Sequence, residues 1–186
     1  ILLNGGIMKK SKLLIIIISI IVAIPLIIFA AISIPWLTLY GGIWLSPNPP
    51  KPQITSGEFP FELVYSLDGE TITINDVFVC EYDGIGMNEG VGKYIEWKSY
   101  LKSTKEENLV LFEDENKKII CGIGSPDYYM GNTENCDIDT VIPNLVIYED
   151  YGEITSSHAL SQEEMESYKI KLISWKFSNP IKNTYK

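Results

Sequence analysis

Several groups of residues in this chain have types and spacings that could do chemistry. The first is "DGIGMNEGVGK", Asp83 to Lys93, in which Gly84, Gly86, Gly90 and Gly92 precede a lysine and Asn88 sits between them. Such turns cradle phosphates when backbone N–H groups and an ammonium converge on the anion. Gly86, Gly90 and Gly92 fit G-x-x-x-G-x-G, a variant of the dinucleotide turn, whereas G-x-G-x-x-G fails at Glu89. The P-loop spacing fails as well, because Met87 stands where its first glycine belongs and Tyr94 replaces Ser or Thr. Asp83 and Glu89 add negative charge where a pyrophosphate would lie. The stretch therefore reads as a glycine-enabled strand connection or bulge. No nucleotide and no cofactor is expected.

Cysteine, serine and histidine make a second group. Cys80 and Cys121 fall within apolar strand patterns, where a buried, inert thiol is expected. Cys136 offers a disulfide partner: Cys121–Cys136 would close a short loop, worth about 3 kcal/mol in the chain-entropy view. The sequence allows three pairings and does not choose among them. His158 is the only histidine and stands near Ser156, Ser157 and Ser161. A dyad needs nearness in space, which nearness in sequence does not supply. "SYLK", Ser99 to Lys102, matches the S-x-x-K of penicillin-binding proteins but lacks the companion K-T-G. No catalytic residue is assigned.

Glu134, Asp137 and Asp139 in "NTENCDIDT" are hard oxygen ligands suited to Ca²⁺, but the D-x-[DN]-x-[DN]-G loop is missing. A solvated acidic turn is expected there, and no metal site is assigned. The 24 acidic residues are too scattered to nominate a glycosidase pair. "GSPDYYMGN" sets Tyr128, Tyr129 and Met130 in a loop; such aromatics either meet a partner or close one end of a sandwich. Together with Gly84, Gly86, Asn88, Gly90 and Gly92 they form the candidate binding surface.

These residues must be positioned by two very different parts of the chain. From Leu13 to Pro50 there is no charged residue. Leu13 to Ile34 alone would rise about 33 Å as a helix, enough for a hydrocarbon core of about 30 Å. Pro25 is tolerated in a membrane helix. Trp36, Tyr40 and Trp44 follow, as aromatic side chains settle at the interface. Lys9, Lys10 and Lys12 keep the N-terminus in the cytoplasm and send the rest outside. A cleaved signal peptide would have a shorter apolar core and a better site than "FAAIS", so an uncleaved anchor is expected.

The organisation predicted is thus residues 1–7 as mis-annotated upstream sequence ahead of Met8, 8–12 as a basic tail and 13–35 as the membrane helix. An interfacial aromatic and Pro-rich linker would occupy 36–54, with an exterior domain at 55–186. Pro47, Pro49, Pro50 and Pro52 favour an extended spacer.

The exterior part is predicted to be mainly β. "FELVYSLDGETITI" alternates apolar residues on both sides of Asp68-Gly69, a strong hairpin signal. "DVFVCEYD", "KYIEWKSYL", the two halves of "NLVLFEDENKKIICGI", "NLVIYEDYGEIT" and "IKLISWKFSNPI" read as further strands. Ser161 and Glu164 form a capping box for one short helix, with Leu160 and Met165 at the staple positions. Seven or so short strands with one helix predict a β-sandwich or open β-barrel.

Charge narrows the partners. There is no arginine, and 12 of the 15 cations lie beyond the apolar run together with all 24 acids. That acidic domain disfavours both nucleic acid and an anionic membrane surface as partners. Abundant Ile, Lys, Asn, Glu and Tyr suggest an AT-rich genome and a Gram-positive surface. In plan, an anchored exterior β domain resembles the sortases, which would imply transpeptidation by Cys, His and Arg. This chain has no arginine and no T-L-x-T-C, so the resemblance covers architecture alone. The expected function is a non-catalytic module binding a protein or cell-wall glycan. A small surface hydrolase using Cys or Ser with His158, and an accessory subunit of a membrane complex, are the alternatives.

Overall fold

In a computed structural model, residues 4–132, 142–150 and 155–186 are described, the first eight of these by backbone alone. The chain forms two compact units. One comprises residues 1–48 with 86–94, the other residues 49–85 with 95–186.

The first unit is built on helix α1, Asn4–Leu45. Nothing in its sequence stops it: the apolar run has no glycine until Gly41, and Pro25 and Pro35 are carried inside the helix. The helix continues through Trp36, Tyr40 and Trp44, residues expected to be linker. Thr38 Oγ1 donates to the Ile34 and Pro35 carbonyls at 3.0 and 2.8 Å. From Leu13 onward its large apolar side chains are exposed along almost the whole length. Lys12–Leu45 is long and apolar enough to cross a membrane, a property shared by anchors and signal sequences.

The second unit is mainly β, as the hydrophobic alternation predicts. Its strands are β1 (Ser56–Leu67), β2 (Glu70–Asn88), β3 (Gly92–Leu101), β4 (Leu109–Glu113), β5 (Lys117–Gly122), β6 (Asn144–Asp150), β7 (Thr155–Ala159) and β8 (Ile170–Phe177). Short helices α2 (Pro126–Tyr129) and α3 (Gln162–Ser167) interrupt them. One four-stranded sheet has the order β3-β2-β1-β8, the other β4-β5-β6-β7. Phe59, Phe61, Leu63 and Tyr65 of β1 share one buried core with Leu111, Ile119, Cys121 and Ile147 of the other sheet. Two open antiparallel sheets over one core make a sandwich rather than a closed barrel.

Local chemistry explains the joints. Asp68 (φ 51°) and Gly69 (φ 87°) both adopt the left-handed region, so the β1–β2 turn is the primed type that suits strand twist. "ETITI" and "DVFVCEYD", read separately from sequence, are one long strand: β1 pairs in unbroken register across Asn75 and Asp76, which would otherwise favour a turn. A bulge against Val64 and Tyr65 throws Ile173 of β8 outward, where it is exposed. The Pro-rich segment is not a free spacer. Lys51 exchanges backbone hydrogen bonds with Lys186, Pro52 bridges to Tyr185, and Gln53 N donates to Thr184 O. Asn183 then clamps the Ile54 backbone through both its amide atoms.

Candidate functional site

The glycine stretch is the tip of the β2–β3 hairpin. Asn88 Oδ1 accepts from the N–H groups of Gly90 and Val91, each at 2.9 Å, and closes the turn. Gly92 takes φ 77°, which a side chain would disfavour. Gly86 is needed for a different reason: the Tyr94 ring lies where its Cβ would be, with Cζ only 2.5 Å away. The groups at the turn that could hold a phosphate therefore already have protein partners in Asn88 and the residues around the end of α1. The Gly90 and Val91 N–H groups are taken by Asn88, and the Lys93 ammonium by the end of α1 and the residues just after it.

That lysine contact is the feature which sequence reasoning missed. Lys93 Nζ donates to Trp44 O at 2.8 Å, Ser46 O at 2.7 Å and Asn48 Oδ1 at 2.9 Å. The last carbonyls of a helix lack intrahelical partners and carry partial negative charge. α1 has no cation of its own in its last turn, and Lys93 supplies one from the hairpin. The available signal was the pairing of a helix end without a cation and a lysine in a glycine turn. Tyr40 OH adds a second link, donating to Glu89 Oε2 at 3.2 Å.

The second half of the expected binding surface lies mostly inside the molecule. Tyr129 and Met130 are 1% and 0% exposed, and only Tyr128 is partly exposed. Tyr129 packs at a tilt against Phe59 and edge-on against Phe78, at centroid distances of 4.9 and 5.3 Å. Its hydroxyl donates to Ile123 O at 3.2 Å, so it ties the strands of one sheet to the segment following β5. The C-terminal tail covers the loop, with Ile181 N bonded to Tyr129 O and Tyr185 OH to Met130 O. Tyr129 and Met130 are thus corrected from binding residues to core residues: apolar bulk beside Pro126 starts α2 and turns inward to fill the sandwich.

At the two described cysteines the chemistry is equally closed. Cys80 and Cys121 are fully buried free thiols, and burial pushes each up to about 12. Thiolate character, which nucleophilic attack requires, is suppressed. Cys121 is held in the core, and the disulfide suggested between it and Cys136 falls outside the described residues. Cys136 lies outside the described residues, as do Glu134, Asp137 and Asp139. Among the described residues no three His, Cys, Asp or Glu side chains gather as a metal site.

His158 lies on β7, a strand that the serine-rich sequence did not announce. Its Nε2 is 2.8 Å from Glu164 Oε1. Ser161 Oγ donates to the other oxygen, Glu164 Oε2, at 2.7 Å, and Ser161 N donates to it at 2.8 Å. The carboxylate stands between serine and histidine. A hydrolytic triad needs the histidine in the middle, taking the serine proton. The order found caps α3 instead, and the Ser161 hydrogen bonds, backbone first and then hydroxyl, with that from His158, hold Glu164 at about 2.

A groove of about 660 Å³ runs beside α3 and β8, with Met165, Ile170 and Leu172 among its apolar walls and Glu166, Lys169 and Lys171 among its charged ones. Among the described residues its lining includes no cysteine, serine or histidine. Compared with models of protein families, with curated proteins and with solved structures, the chain finds no match.

Proposed function

We propose that this chain is a single-pass membrane protein whose β domain stands on the outer side and acts as a non-catalytic binding module. The observation that carries the reading is the Lys93 contact with the end of α1. A signal cleaved at "FAAIS" would keep Trp44, Ser46 and Asn48 but remove most of the helix whose C-terminal end the ammonium caps. With the helix retained, the ammonium caps a complete α1, which supports an anchor built into the folded molecule. Lys9, Lys10 and Lys12 orient it with the N-terminus inside.

Binding is favoured over catalysis because the residues able to do chemistry are engaged structurally. Both described thiols are core atoms, and the Ser161–Glu164–His158 cluster caps a helix. The partner is a protein or a glycan of the cell surface, met through the exposed groove beside α3 rather than through Tyr129 or Met130.

Two measurements test this. The chain carrying different tags at its two ends is recovered from membranes. Recovery of both tags on one polypeptide, with only the C-terminal tag open to protease added outside intact cells, is the expected result. Loss of the N-terminal tag would overturn the anchor, and a protected C-terminal tag would overturn the orientation. The chain in nanodiscs is then sedimented with insoluble cell-wall glycan and cross-linked on intact cells. Binding by either route that weakens with Leu172→Asp is expected. Binding unaffected by Leu172→Asp would exclude the groove.

A further inference from the structure

The β2–β3 tip exposes apolar side chains where none is needed for folding. Val91 is 71% and Met87 47% exposed, and neither takes part in the Asn88 turn through its side chain. The end of α1 that holds this tip is equally apolar, with Trp44 at 69% and Leu45 at 76% exposed. Apolar residues exposed together on one compact unit mark a surface meant for an apolar medium.

The level of the tip along α1 identifies that medium. From Lys12 to Tyr40 the helix rises about 42 Å, close to the about 40–45 Å of a bilayer with both headgroup layers included. With the lysines in one layer, Tyr40 and Trp44 fall in or just beyond the other, as interfacial aromatic residues do. Tyr40 holds Glu89, and the Trp44 carbonyl holds Lys93, so the turn between them is fixed at headgroup depth. Asp83 and Glu89 against Lys93 leave the tip with no excess of cations. Its attraction to lipid is therefore apolar and independent of anionic headgroups.

We propose that the β2–β3 hairpin tip is a second membrane contact, placing Met87 and Val91 in the interfacial layer of the leaflet from which α1 emerges. The inference rests on α1 being a retained membrane span. Two attachments at one level would restrict how the hairpin swivels about the helix, which a single helix alone does not do. Tyr94 stacked over Gly86 stiffens the last stretch of the hairpin and keeps the tip extended.

The test uses the full chain in phosphatidylcholine nanodiscs, with Cys136→Ser to remove the one cysteine not shown to be buried. A nitroxide is attached at Val91→Cys or at Ile20→Cys, and the parent without either substitution serves as the blank. Collision with oxygen and with a water-soluble nickel chelate gives the depth of each label. The expected result is a label at residue 20 in hydrocarbon and a label at residue 91 that has lost most of its collision with the chelate. That loss should persist in high salt. A label at 20 in hydrocarbon with one at 91 fully open to the chelate overturns the tip contact and leaves the anchor standing. A label at 20 open to water overturns both. Val91 is an exposed turn residue, so its replacement does not put folding in question.

Discussion

Lys93 Nζ lies 2.8 Å from the carbonyl oxygen of Trp44, and through it a hairpin caps a helix that begins more than eighty residues earlier in the chain. The ammonium sits where the helix dipole is negative and where backbone oxygens lack partners. Lys93→Met keeps the aliphatic stem but removes the charge and all three hydrogen bonds. A cation at a helix C-terminus contributes about 0.3–1 kcal/mol, and a loss of that size is expected. Amide exchange at Leu45, Ser46, Gly90 and Val91 should quicken together in the variant. Exchange that quickens only in the turn, leaving the helix end unchanged, would refute the cap.

The Ser161–Glu164 box gives a pH dependence of definite sign. Glu164 is held at about 2, below its ordinary 4.5, by the Ser161 hydrogen bonds and the His158 ring. A depressed carboxylate contributes stability in full above the unfolded value, and the contribution fades as pH falls from 4.5 towards 2. Wild type should therefore melt higher than Glu164→Gln at pH 6, with the gap closing by pH 2. Equal gaps at the two pH values would show that the charge plays no part.

Burial of the two thiols predicts their silence. With Cys80 and Cys121 both at about 12 and fully enclosed, thiol reagents at pH 8 should modify neither in the folded protein. Denaturant should expose both at once, since they lie in one core. Rapid modification of either in the native state would reopen a cysteine-based activity.

Much of this fold is legible in the sequence because it depends on short-range chemistry. Asp68-Gly69 between alternating apolar residues specifies its turn, and Ser161 with Glu164 specifies the start of α3. The membrane-crossing character of the apolar run is a matter of length. What escapes is set by contacts between distant segments. Tyr129 resembles a loop aromatic until Phe59, Phe78 and Ile181 close around it. Lys93 resembles a phosphate ligand until the end of α1 is beside it. β7 escapes for another reason: "TSSHA" has no apolar alternation, and its pairing with β6 alone makes it a strand. The glycines of the stretch were correctly read as a strand connection, but their neighbour was not foreseeable from spacing.

The closest backbone approach in the described structure yields the sharpest mutational contrast. Gly131 has φ 79°, and an added Cβ would lie 2.5 Å from Ile181 O and 3.1 Å from Asn183 N. Both neighbours are backbone of the tail that covers Tyr129, so neither yields cheaply. The left-handed conformation alone costs an alanine about 1–2 kcal/mol, and displacing the tail adds to it. Gly131→Ala is therefore expected to lose about 2 kcal/mol or more, in the range of a serious core defect. At Gly90, by contrast, the added atom meets only Asn88 Oδ1 at 3.5 Å, an ordinary contact. Gly90→Ala should fall within about 0.5 kcal/mol of wild type. Chemical denaturation of both variants decides it: a tolerated Gly131→Ala would mean that the tail does not seal the core over Tyr129.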